Sequence, residues 1–156
     1  MKHYGTIAIA AALLLASCSE KLSVGHDVPS SVYVVNAGEY SVTVTSETEN
    51  CKVWVYKSGW DSKTYTVTAE IDDEDIIRYT TETKKSYTPL AGNAYELQTP
   101  SVTLDATNIK VPVVISLDPT CISKGVTFIL PVRITCSEQD ALVEGKDVTY
   151  LLITKQ

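Results

Sequence analysis

Residues 109–117, Ile-Lys-Val-Pro-Val-Val-Ile-Ser-Leu, decide the fold. Ile109, Val111, Val113, Ile115 and Leu117 occupy every second position, and a period of two places all five on one face of a pleated strand. Phe128, Leu130, Val132, Ile134 and Cys136 repeat the pattern. Each run is interrupted once, at Pro112 and Pro131. A proline has no N–H to give to a ladder, so each marks an edge strand or a bulge.

Outward from these two runs, the same period recurs. Val32-Tyr33-Val34-Val35 is an apolar stretch closed by the turn Asn36-Ala37-Gly38, and residues 40–45 set Tyr40, Val42 and Val44 against hydroxyls. Residues 51–56 place Cys51, Val53 and Val55 on one face and Lys52, Trp54 and Tyr56 on the other. Residues 64–71 turn Tyr65, Val67, Ala69 and Ile71 inward. Shorter strands are expected at 95–98 and 101–105, and a closing strand at 148–154 has Val148, Tyr150 and Leu152 on one side. The rhythm changes only after Asp72-Asp73-Glu74-Asp75, where Ile76, Ile77, Tyr79 and Thr80 recur at helical spacing. A helix over about 73–83 follows, capped by Asp72 or Asp73, with acidic residues in its first turn and Lys84 and Lys85 at its end. The four carboxylates lack the alternating ligand spacing and central glycine of a calcium loop. Seven to nine strands and one inserted helix predict a mainly all-β, immunoglobulin-like two-sheet sandwich over residues 32–156, a single domain.

Ahead of that domain, Leu15-Ala16-Ser17-Cys18 closes an apolar run from Ile7 that follows Lys2 and His3. It resembles the lipobox of a bacterial lipoprotein. The resemblance implies that residues 1–17 are a signal peptide and that Cys18 becomes the first mature residue and carries the lipid. Acyl chains on one residue attach a protein durably, at about 0.8 kcal/mol per buried methylene. Residues 18–31, polar and broken by Gly25 and Pro29, read as a flexible tether. The expected location is the outer membrane, exposed at the cell surface, with its periplasmic leaflet as the alternative.

The formal charge is −6 and becomes −7 when Lys2 is removed with residues 1–17. An acidic surface without a basic patch repels a phosphate backbone, which argues against nucleic acid as a partner. Besides Cys18 the chain has Cys51, Cys121 and Cys136. Their spacing fits no zinc or iron–sulfur pattern, so no metal or other cofactor is expected. Of three pairings, Cys121 with Cys136 is preferred, because the two bracket the approach to the 126–136 strand; three free thiols is the alternative.

Candidate chemistry is sparse. His26 lies in the tether, no serine sits in a nucleophile elbow, and carboxylate pairs at glycosidase separation arise by chance among 19 acidic residues. The chain is therefore read as no enzyme. Binding is better supplied: Trp54 and Tyr56 share a face, and Trp60 stands in the turn Ser58-Gly59-Trp60-Asp61, with Lys57 and Lys63 near by in sequence. Planar aromatics beside polar groups suit a sugar ring. Against this stand two simpler readings, Trp54 as a core residue with the valines facing outward, and Trp60 as a lid over the core.

Val35-Asn36-Ala37-Gly38, Asp72 through Tyr79, Tyr87 and Leu90 with Tyr95 and Leu97, Phe128 through Thr135, and Thr149 through Ile153 together resemble a known family. It is the N-terminal β-sandwich domain of unknown function of surface lipoproteins from gut Bacteroidetes. The match runs over nearly all of residues 30–156, and Leu130-Pro131-Val132-Arg133-Ile134-Thr135 is its most specific piece. Thr80 replaces the family's asparagine, and Pro89-Leu90 reverses its leucine-proline pair. In the family this domain precedes a glycoside hydrolase, a laminin-G-like or a discoidin-like module in glycan-utilisation systems. The resemblance implies a non-catalytic accessory or carbohydrate-binding domain, partnered by a polysaccharide or a glycan-uptake protein. With the chain ending at Gln156, it would be the accessory domain alone. The alternatives are an adhesin- or pilus-type interaction subunit and, third, a glycoside hydrolase.

Overall fold

The computed structural model describes residues 28–47 and 49–156. The lipobox, Cys18 and most of the tether lie outside them. Ten strands and one helix follow in order: β1 Ser31–Val34, β2 Gly38–Val44, β3 Glu49–Ser58, β4 Tyr65–Glu70, α1 Asp73–Thr83, β5 Thr88–Pro89, β6 Tyr95–Leu97, β7 Ser101–Leu104, β8 Lys110–Leu117, β9 Thr127–Cys136 and β10 Val148–Lys155. One sheet has the order β1-β3-β8-β6. The other has β2-β10-β9-β4-β7, with β5 added to β9. The fold is thus the two-sheet sandwich with one short helix that the period-two runs predict.

The alternation locates the core. Val53, Val55, Val113, Ile115 and Leu117 from the first sheet meet Val67, Leu130, Val132, Ile134, Leu151 and Ile153 from the second. Burying each such side chain is worth about 1.5–3 kcal/mol, which is why two greasy faces close on each other. β10 is buried on both sides, because Tyr150 and Leu152 pack outward against Tyr79 of α1 and Ile129 of β9. Tyr40 is exposed, since β2 borders the sheet and pairs only with β10. Ile109, expected inward, precedes β8 and is also exposed.

Both prolines fall where a ladder has a gap. Lys57 N–H donates to Ile109 O on the β3 side of β8, whereas Val114 N–H donates away from β3 to the Thr99 hydroxyl at 2.6 Å. Pro112 shares the parity of Val114, so its nitrogen faces the side where β6, paired only with residues 115–117, has already ended. In β9, Ile134 N–H donates toward β10, to Asp147 O. Pro131 has the opposite parity, and its nitrogen faces the gap between β5, which pairs with residues 128–129, and β4, which pairs with 133–136. A central strand tolerates proline there because no donor is missed.

Helix α1 begins as expected: the Asp72 carboxylate accepts from Glu74 N–H at 2.9 Å. It ends at Lys84, whose φ of 59° is left-handed and whose N–H donates to Thr80 O. Asp75 and Tyr79 are its buried residues, while Ile77 points into solvent.

The preferred disulfide does not form; Cys51, Cys121 and Cys136 are free thiols. Cys121 lies in a 3-10 turn, Pro119–Cys121, whose Pro119 O accepts from Lys155 Nζ, beside the start of β9. Cys136 is at the other end of that ten-residue strand. At about 3.3 Å per residue the two are roughly 30 Å apart, whereas a bridge needs Cα atoms within about 7 Å.

Candidate functional site

The turn after β3 brings most of the predicted residues together. Gly59 has φ of +96°, and a Cβ built on it would lie 2.7 Å from Ser30 Cα, so only glycine fits the turn and its close approach to residues 29–30. The chain then presents Trp60 to solvent, 76% exposed, the most exposed large apolar side chain among the described residues. It is therefore no lid over the core. With Tyr56, Ser58, Ala106 and Ile109 it borders a groove of about 350 Å³.

Asp61, read from sequence as a ligand contact, borders the same groove and also anchors the turn. Its carboxylate accepts from Ser30 N–H at 3.3 Å, from Lys63 N–H at 3.1 Å and from Tyr65 Oη at 2.7 Å. Lys57 Nζ lies 2.9 Å from Oδ1 and donates to the Asp61 backbone oxygen at 2.8 Å. Burial alone pushes the carboxyl up, but the donors from Tyr65, Lys57, Ser30 and Lys63 outweigh it and hold the group well below the usual carboxylate range. Lys57 itself is 2% exposed, with its ammonium 5.4 Å from the Tyr65 ring centre. These groups satisfy one another beneath Trp60 and fix the turn.

Trp54 is not a core residue. Cys51, Val53 and Val55 fill the core, so Trp54 and Tyr56 lie half-buried on the outer face of the sheet. Lys110 Nζ stands 4.9 Å from the centre of the Trp54 ring. The Tyr56 ring lies 5.4 Å from that of Tyr33, its register partner in β1, and Lys146 Nζ is 5.2 Å from Tyr33. Tyr56 thus connects the Trp60 groove to an aromatic outer face.

A second cleft, about 620 Å³, opens beside α1 and is bordered by Glu39, Arg78, Tyr79, Arg133, Asp147 and Tyr150. Arg133 makes a two-pronged pair with the buried Asp75, Nε to Oδ2 at 2.9 Å and Nη2 to Oδ1 at 2.5 Å, and also pairs with Asp147. Asp75 raises the proton affinity of the guanidinium further. Across the cleft, Tyr79 Oη donates to Glu39 at 2.9 Å and Lys85 pairs with the same carboxylate at 2.6 Å. Burial, then the Glu39 hydrogen bond, push the Tyr79 hydroxyl up to about 12. The polar side chains here pair chiefly with each other and pin the helix to the sheet. Sequence reasoning missed this network, although an arginine amid the apolar Leu130–Ile134 run was the signal for it. Among the described residues no group of three or more His, Cys, Asp or Glu is placed to hold a metal ion.

The fold and this arrangement define a mainly β sandwich domain with a displayed loop tryptophan. A family model whose description reads "-like, N-terminal domain" matches residues 28–141, and the chain belongs to that family of N-terminal domains. No curated protein matches. Among solved structures, a "putative carbohydrate binding protein" from Bacteroides ovatus ATCC 8483 is 17% identical with a TM-score of 0.68, over 80% of this chain and 37% of that one. EndoBT-3987 from Bacteroides thetaiotamicron, solved with Man5GlcNAc product, is 14% identical with a TM-score of 0.65, over 75% and 28%. A multidomain protein including DUF1735 from Bacteroides ovatus is 14% identical with a TM-score of 0.59, over 81% and 44%. The chain therefore spans less than half the length of each, and at these identities the likeness is one of fold.

Proposed function

We propose that this chain is a non-catalytic accessory domain of surface glycan capture, held to the outer membrane through lipid on Cys18, and that sugar contact is made at Trp60. The observation that carries the reading is the 76% exposure of Trp60 beside a groove that also holds Tyr56 and Ile109, on a turn held by the pairing of buried Lys57 with half-buried Asp61. A rigid turn that holds an indole in water loses little entropy when a sugar ring stacks on it. The non-catalytic part is supported by the described carboxylates with shifted proton affinity: Glu39, Asp61, Asp105 and Asp118 are all lowered. A glycosidic acid needs the opposite shift. The test is retention of the purified chain in gels cast with a panel of complex polysaccharides. At least one should retard the chain and not its Trp60→Ala variant; no retardation across the panel sinks the binding role. The anchor is tested apart, by loss of lipid labelling in Cys18→Ser.

An interaction subunit is the second reading, favoured by β2, whose seven residues pair on one side only among the described residues. Ser41 and Thr43 turn their backbone groups to that open edge, since Gln156 N–H donates to Val44 O on the β10 side. Ser41→Pro should fold normally yet abolish any strand addition there.

A further inference from the structure

We propose that the outer face of the β1-β3-β8-β6 sheet, continuous with the Trp60 groove through Tyr56, selects an anionic polysaccharide, one bearing uronate carboxylates or sulfates. The inference rests on the glycan-binding reading above and names its substrate class. In a chain of formal charge −6, this face is a local exception. Lys52 of β3, Lys110 of β8 and Lys146 of the loop beside β1 are all exposed, and none makes an ion pair with a described residue. Among the described side chains that the sheet's strands turn outward, Glu96 supplies the only carboxylate. It sits at the far end of the face, on β6 opposite Ser116.

The lysines are also positioned. Lys110 and Lys146 hold their ammonium groups 4.9 and 5.2 Å from the centres of the Trp54 and Tyr33 rings. Cation–π attraction keeps each charge above the sheet, at the height of a first layer of ligand, with no ion-pair partner among the described residues. Tyr56 faces Lys110 across the β3–β8 ladder and Tyr33 across the β1–β3 ladder. A strip of mutually tilted rings, with ammonium groups over two of them, therefore runs from Trp60 to Lys146. A sugar chain with an acidic group on alternate residues meets this strip with stacking faces and charges together. A neutral chain would use the rings and leave the ammonium groups unmatched.

Affinity gels test this with the full chain in detergent, using polygalacturonate and chondroitin sulfate as acidic probes and mannan and xyloglucan as neutral ones. Retardation should be confined to an acidic probe. It should vanish near 1 M NaCl, where the screening length is about 3 Å, and should weaken by about tenfold or more when Lys52, Lys110 and Lys146 are all changed to Gln. Changing Lys84, Lys85 and Lys124 to Gln removes as much charge outside this face and should leave retardation unaltered; an equal loss there would reduce the effect to net charge and overturn the site. Retardation by neutral glycans alone overturns the substrate class and leaves the parent reading intact. Retardation by none overturns both. Lysine-dependent binding to vesicles containing phosphatidylglycerol, with none to acidic glycans, would make the face a membrane contact and overturn the proposal.

Discussion

Removing either partner of the Lys57–Asp61 pair leaves the other behind, but the two remainders are unequal. In Asp61→Ala the ammonium of Lys57, 2% exposed, keeps a backbone oxygen and the Tyr65 ring but no counter-charge. An uncompensated buried charge costs about 3–5 kcal/mol. The same change orphans the Tyr65 hydroxyl and the amides of Ser30 and Lys63. In Lys57→Met, Asp61 keeps those three donors and its side chain is 20% exposed, so water reaches it, while the thioether fills most of the lysine's volume. That loss should be about 1 kcal/mol or less. Against a typical total of about 5–15 kcal/mol, Asp61→Ala should shift the urea midpoint strongly at constant m-value and Lys57→Met weakly. Acidity should show the same hierarchy. The folded-state affinity of Asp61 for a proton is lowered, so its contribution is complete above the ordinary aspartate value of about 4. It is lost as pH falls below that toward the folded value, and Asp61→Asn should flatten this part of the acid limb. Equal destabilisation by the two variants, or a larger one from Lys57→Met, would refute this account of the turn.

Three further outcomes follow from the packing. Gly59→Ala should destabilise by about 1–3 kcal/mol, because the residue is left-handed and its Cβ would strike the backbone at Ser30; thermal melting checks it, and a neutral result would contradict the geometry. Asp75→Ala should cost about 1–3 kcal/mol in urea unfolding, since Arg133 loses its buried partner but keeps Asp147 and contact with water, whereas replacing both by apolar residues should recover much of the loss. In the folded chain a bulky maleimide should label Cys121 and spare Cys51 and Cys136 until denaturant is added; Cys51 is doubly protected, its thiol pushed up to about 11 by burial.

Much of the sandwich was legible because alternation over eight to ten residues admits one reading, and β8 and β9 appear where Ile109–Leu117 and Phe128–Cys136 place them. What a strand pattern cannot assign is which face turns inward when both are apolar. In β3, Val53 and Trp54 are equal candidates, and only the partner sheet, packed with Ile, Leu and Val, selects the valines. The ion pairs were hidden for a different reason. Asp75 and Arg133 are 58 residues apart, and nothing local distinguishes Asp75 from its acidic neighbours in the first turn of α1. The anchoring role of Asp61 was hidden because sequence does not show that Ser30, Lys57, Lys63 and Tyr65 all converge on its carboxylate. Trp60 lies in a turn, where periodicity carries no information about exposure. The prolines misled in part: Pro112 and Pro131 suggest an edge strand or a bulge, whereas β8 and β9 are interior strands and each proline lies where the neighbouring strand has a gap.

Trp54 and Trp60 are the only tryptophans, so Trp54→Phe leaves a single indole, excited selectively over the tyrosines, at the site on which the functional reading rests. In the free chain Trp60 should be readily quenched by acrylamide and emit at long wavelength, as its exposure requires. Adding a polysaccharide that retards the chain should shield it and shift its emission to the blue. Retardation with Trp60 quenching and emission unchanged would mean that the glycan is held elsewhere, and would contradict the account.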